Sequence, residues 1–91
     1  MILEPTFVDA IPTQSGEMQE GRLYISIKEM SAAHLCACGC GQKVITPLGK
    51  DGWSLLLSEG AITIRPEIGC ANLECGAKYN ITNNRVQWSN Y

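Results

Sequence analysis

The stretch HLCACGCGQ, residues 34–42, places Cys36, Cys38 and Cys40 at alternate positions, with Gly39 and Gly41 following the second and third. Only two further cysteines, Cys70 and Cys75, occur elsewhere in the chain. So dense a cluster narrows what the chain can be: its thiols bind a metal, form disulfides or do redox chemistry, or pack as small apolar groups. The choice matters in a chain of 91 residues. A domain this short buries only roughly 60 to 65% of its unfolded surface, so a metal or disulfide adds materially to its stability.

Compartment bears on the choice. The opening, MILEPTFVDAIPTQ, has no basic segment, carries Glu4 and Asp9, and contains Pro5 and Pro12. It does not read as a signal peptide, and no run approaches the ~18 to 20 apolar residues of a membrane span. The expectation is a cytoplasmic protein in which thiols stay reduced. Five cysteines is also an odd number, which a pure disulfide framework cannot use up.

These considerations favour zinc. A structural site needs four ligands at tetrahedral corners, with Zn–S near ~2.3 Å, and glycine beside a ligand lets the backbone turn under the sulfur. Gly39, Gly41 and Gly76 follow cysteines, and Gly69 precedes Cys70. The expected cofactor is one Zn2+ held by four of Cys36, Cys38, Cys40, Cys70 and Cys75. The spacings, C-x-C-x-C and C-x4-C with 29 residues between Cys40 and Cys70, depart from the usual pair of C-x2-C motifs. Cys40 is favoured as a ligand because it is nearest the following strand. Its mate is Cys36 or Cys38, and the third thiol is packing, second shell or spare.

His34 is the only histidine. It is a further candidate ligand or the base of a Cys/His pair, but the favoured reading is a histidine on an extended segment bonded to neighbouring backbone. A catalytic dyad would need an orienting group and an electropositive thiol environment, and the sequence supplies neither. No P-loop or dinucleotide fingerprint is present. Seven Lys+Arg against nine Asp+Glu give a net charge of −2. No basic stripe of the kind that neutralises nucleic-acid phosphates appears in the linear sequence.

Alternation of apolar residues assigns the elements. RLYISIK sets Leu23, Ile25 and Ile27 opposite Tyr24, Ser26 and Lys28, a half-buried strand. AAHLC continues extended into the cluster, and KVITPL leaves it. WSLLL and AITIR form a hairpin about Ser58, Glu59 and Gly60. YNIT and RVQW form another about Asn83 and Asn84, placing Tyr79 and Ile81 against Val86 and Trp88. IKEMSAAHL is the best helix candidate and is short. The expected fold is a single mostly β domain over 1–91 with six or seven short strands. It is a small zinc-stabilised antiparallel domain with zinc-ribbon or treble-clef-like knuckles and little or no helix, with 9–21 a loop or flexible arm. Tyr24, Trp53, Tyr79 and Trp88 are read as core packing rather than a stacking platform. The sequon at Asn80 is read as chance.

The run EGRLYISIK…HLCACGCGQKVITPL…W…ITIRPEIG…C…Y, over about residues 20 to 88, resembles a small zinc-binding family of unknown function. That family is found in phage genomes and near bacterial ubiquitin-like conjugation genes. The resemblance implies a zinc-binding β-rich domain and no established activity. The family's second cluster is similar to C-x-x-H-Y with Asn after Ile-Gly. Here the matching residues are Cys75-Gly76-Ala77-Lys78-Tyr79, and Cys70 follows Ile68-Gly69. On this comparison Cys70 replaces a lost imidazole, turning three cysteines and one histidine into four cysteines. Zinc lost in Cys70→Ser and not recovered in Cys70→Ser with Lys78→His would refute that swap.

The expected function is a non-enzymatic zinc-binding module that holds a protein partner, a phage or bacterial accessory protein connected with ubiquitin-like conjugation. The alternatives are a nucleic-acid-binding zinc ribbon, a virion component and cysteine-dependent catalysis.

Overall fold

The computed structural model describes residues 2–12, 14–50, 52–69 and 78–88. Its eight strands form two four-stranded sheets, each with its strands in chain order. The first sheet holds β1 (Glu4–Phe7), β2 (Arg22–Ser26), β3 (Ser31–Leu35) and β4 (Lys43–Pro47). The second holds β5 (Ser54–Ser58), β6 (Ala61–Gly69), β7 (Lys78–Thr82) and β8 (Arg85–Trp88). One 3-10 turn, Ser15–Glu17, is the sole helical element among the described residues. No described helix is long and apolar enough to cross a membrane.

The mostly β, nearly helix-free architecture agrees with the sequence, and seven of the eight strands fall where alternation places them. The Asn83–Asn84 turn has φ of 50° and 69°, the left-handed geometry that a two-residue hairpin requires. Its strands pair Tyr79 with Trp88 and Ile81 with Val86. Glu59 and Gly60, at φ 51° and 81°, close the β5–β6 hairpin in the same way. IKEMSAAHL is not helical; it is the β2–β3 turn, with Met30 at φ 51°, running into β3.

Two features depart from the expectation. β1 was not foreseen, because EPTF has no alternation and contains a proline. It is an edge strand parallel to β2, where a missing N–H is tolerated, so the domain is not wholly antiparallel. Tyr24 and Ser26 do not face water: they are 8% and 0% exposed. Met18, Val8 and Ile11 pack with Tyr24, Ala33 and Leu35 on the outer face of the first sheet, and the Ser26 hydroxyl donates to the Asp9 carbonyl at 2.9 Å. That sheet is therefore covered on both faces.

The main core lies between the sheets. Leu23, Ile25, Ala32 and Val44 from one face meet Ile62, Ile64, Ile68, Tyr79 and Ile81 from the other. Burial of each large side chain contributes about 1.5 to 3 kcal/mol. Single bridges join the sheets at both margins, Ile2 to Arg85 antiparallel and Leu48 to Trp53 parallel. The second margin depends on Gly52, where an added Cβ would lie 2.2 Å from the Pro47 carbonyl oxygen. Gly52→Ala is expected to displace that connection and cost about 1 to 3 kcal/mol, read as a lowered urea midpoint. An unchanged midpoint would show that the backbone relaxes freely.

Candidate metal centre and its buried histidine

β3 ends at Leu35, and the chain then turns back before β4 starts at Lys43. The Cys36 N–H donates to the Gln42 carbonyl at 2.8 Å, closing the loop, and the Gly39 N–H donates to the Cys36 carbonyl at 3.1 Å. Gly39 and Gly41 have φ of 88° and 80°, which a side chain would strain. These turns carry all three sulfurs to one place. Their Sγ atoms lie within 4.8 Å of one another, and Cys36 and Cys38 are 3.4 Å apart.

That spacing discriminates between chemistries. A disulfide needs ~2.05 Å, so Cys36 and Cys38 are not joined. Four sulfurs about a zinc ion at ~2.3 Å stand ~3.8 Å from each other, and three sulfurs within 4.8 Å of one another are close enough to share one metal ion. Cys36 is buried, whereas Cys38 and Cys40 are exposed. The loop gathers all three of Cys36, Cys38 and Cys40, two of which the sequence reading pairs with Cys70 and Cys75. Cys70 and Cys75 lie outside the described residues.

His34 does not join the cluster. Its Nε2 shares a 2.5 Å hydrogen bond with the Tyr79 hydroxyl, 45 residues away in sequence, and the rings meet edge to face at 5.8 Å. The partner is thus a side chain on the opposite sheet, not neighbouring backbone. Tyr79 also accepts the Ala37 N–H at 3.5 Å and packs edge to face on Trp88. No short-range sequence signal could have identified this contact. It ties the cysteine loop to the second sheet. His34 is wholly buried, its Nδ1 has no partner, and burial pushes its pKa down to about 4. The imidazole is therefore neutral at pH 7.

Removing the phenol oxygen tests this link. Tyr79→Phe leaves the His34 Nε2 and the Ala37 N–H buried without their partner, an expected cost of about 1 to 3 kcal/mol. Chemical denaturation reads the loss, and a neutral result would mean that water replaces the hydroxyl.

The core reading of the aromatics holds for Tyr79 and Tyr24, which are buried, while Trp88 is half exposed. Lys78, the residue opposed to histidine in the resemblance, is exposed on β7 in register with Gly69. Of the hydroxyls, that of Ser26 is engaged at both ends, donating to Asp9 and accepting the Glu29 N–H at 3.0 Å. Ser31 donates to the Glu29 carbonyl at 3.4 Å. Among the described residues, then, no serine is paired with the one histidine.

Comparison with known proteins bears directly on function. A family model described as "Bacterial ubiquitination-like system serine protease (BubE)" matches residues 7–89. No curated protein and no solved structure matches the chain. The match corrects three expectations: that the resembled family has no known activity, that the chain is a non-enzymatic interaction module, and that it is not an enzyme. The thiols had dominated the sequence reading, and a serine hydroxyl without a surrounding motif gives no comparable signal. The chain belongs to the BubE family of bacterial ubiquitination-like system serine proteases.

Proposed function

We propose that this chain is a peptidase that cuts at the carboxyl end of a small protein modifier in a bacterial ubiquitination-like system, with a structural zinc ion pinning its cysteine loop. The match of a serine-protease family model to residues 7–89 carries this reading. Cys36, Cys38 and Cys40 hold the zinc, with Cys70 or Cys75 as the fourth ligand. A tetrahedron closed by four thiolates has no open position for water, so the metal stabilises the loop and takes no part in hydrolysis. Thiolate ligation is favoured in the reducing cytoplasm, which is the location proposed here.

The nucleophile is then a serine oxygen. It attacks the carbonyl carbon of the scissile bond and forms an acyl ester as the amine departs with a proton; water hydrolyses the ester and regenerates the hydroxyl. His34 is enclosed and committed to Tyr79, so the base is another group, and Ser–Lys pairs perform the same chemistry.

A fluorophosphonate probe, which phosphonylates activated serines, tests the proposal on zinc-loaded protein. The expected result is stoichiometric labelling of one serine, lost in that residue's alanine variant. Absence of labelling in folded, metal-loaded protein would contradict it.

A further inference from the structure

The two sheets present four edge strands, β1, β4, β5 and β8. Edges normally carry charge, proline or a covering segment that discourages further pairing. β1 has Glu4 and Pro5, β4 has Lys43 and Pro47, and β8 begins at Arg85, which bridges Ile2. β5, with the sequence SLLLS, has no charge and no proline. Leu56 and Leu57 on it are 56% and 61% exposed. Beyond the single Leu48–Trp53 bridge, β4 and β5 diverge, so the outer main chain of β5 has no strand partner among the described residues.

A groove of about 560 Å³ opens at that divergence, lined by Ile27, Met30, Leu48, Trp53 and Leu56. Lys50, which precedes β5 in the chain, is the one charged group among the described lining residues. Main-chain hydrogen bonding capacity along one side, apolar walls and a single cation in the lining together define a ligand: an extended apolar peptide with a terminal carboxylate.

We propose that the free edge of β5 docks, as an added strand, the extended carboxyl-terminal tail that the modifier presents once it has been cut. The tail runs antiparallel to β5, with its apolar side chains in the groove and its carboxylate at Lys50. The identity of the tail rests on the peptidase reading above; the pairing with an extended apolar peptide does not.

The test is titration of 15N-labelled, zinc-loaded full-length protein with a short peptide of alternating leucine and threonine, as the free acid and as the C-terminal amide. The free acid is expected to shift amides within 48–58 and to bind several-fold more tightly than the amide, a difference that Lys50→Gln abolishes. Leu56→Lys is expected to weaken both by about tenfold or more, as truncation of an apolar anchor does. No binding, shifts confined elsewhere, or indifference to Leu56→Lys would overturn the proposal. So would concentration-dependent shifts in β5 without peptide, accompanied by a dimer in sedimentation that the peptide does not displace, since the edge would then serve a second copy of the chain. Because binding is read without turnover, a protein that binds the peptide yet takes no fluorophosphonate refutes the peptidase alone. Labelling without binding refutes the docking edge alone.

Discussion

Zinc chelation is expected to convert the folded domain into an unfolded or loosely packed chain. The loop over residues 36–42 turns through two glycines in left-handed geometry, closed by the main-chain bonds of the Cys36 and Gly39 N–H groups. Without a cation, three sulfurs within 4.8 Å of one another repel as thiolates. Structural zinc contributes on the order of 10 kcal/mol at neutral pH, comparable to the ~5 to 15 kcal/mol of net stability of a whole domain. Loss of amide dispersion in the NMR spectrum after chelation, restored by added zinc, is the expected result. Cys36→Ser should behave as the chelated protein does, because it removes a ligand and leaves a hydroxyl in a buried site. A metal-free protein with an undiminished native spectrum would show that the core alone sustains the fold.

Acidification is expected to remove about 3 kcal/mol through His34. Burial lowers its folded pKa to about 4 from the ordinary 6.5, so between those values the unfolded chain binds a proton that the native state refuses. Stability from the neutral imidazole is fully present above pH 6.5 and is lost as pH falls towards 4. The size follows from about 1.4 kcal/mol for each unit between the two values. Metal release also destabilises in acid, so the informative quantity is the difference between wild type and His34→Gln. The variant is expected to be less stable at neutral pH, since its amide loses the fit to Tyr79, and to have a flatter dependence between pH 6.5 and 4. Parallel curves for the two proteins would show that His34 does not titrate on unfolding.

How much of this was legible in the sequence depended on the range of the interaction. Period-2 alternation and turn residues are local, and they located seven strands and the two tight hairpin turns of the second sheet. β1 escaped because an edge strand needs neither alternation nor a full set of N–H donors. Burial of Tyr24 and Ser26 escaped because what covers them, packing by Met18, Val8 and Ile11 and the bonds of Tyr24 to the Gln19 N–H and of Ser26 to the Asp9 carbonyl, leaves no periodic mark in the sequence. The thiol cluster was legible as composition. Its geometry was not, since two glycines at positive φ, rather than an extended run, aim Cys36, Cys38 and Cys40 at one point. The His34–Tyr79 bond spans 45 residues and leaves no trace in either local sequence. Enzymatic function was read wrongly because the conspicuous residues were the thiols, whereas a serine is chemically ordinary until its surroundings activate it.

Cleavage itself is the most direct test. A ubiquitin-like modifier of the same bacterial system, fused through its carboxyl end to a reporter, is incubated with the zinc-loaded protein and with alanine variants of Ser15, Ser26, Ser31, Ser54, Ser58 and Ser89. Release of the reporter at the modifier's carboxyl end, abolished in one folded variant and retained in the others, is the predicted result. An intact fusion in the presence of folded, zinc-loaded protein, or cleavage that survives every substitution, would contradict the assignment of serine peptidase activity to this chain.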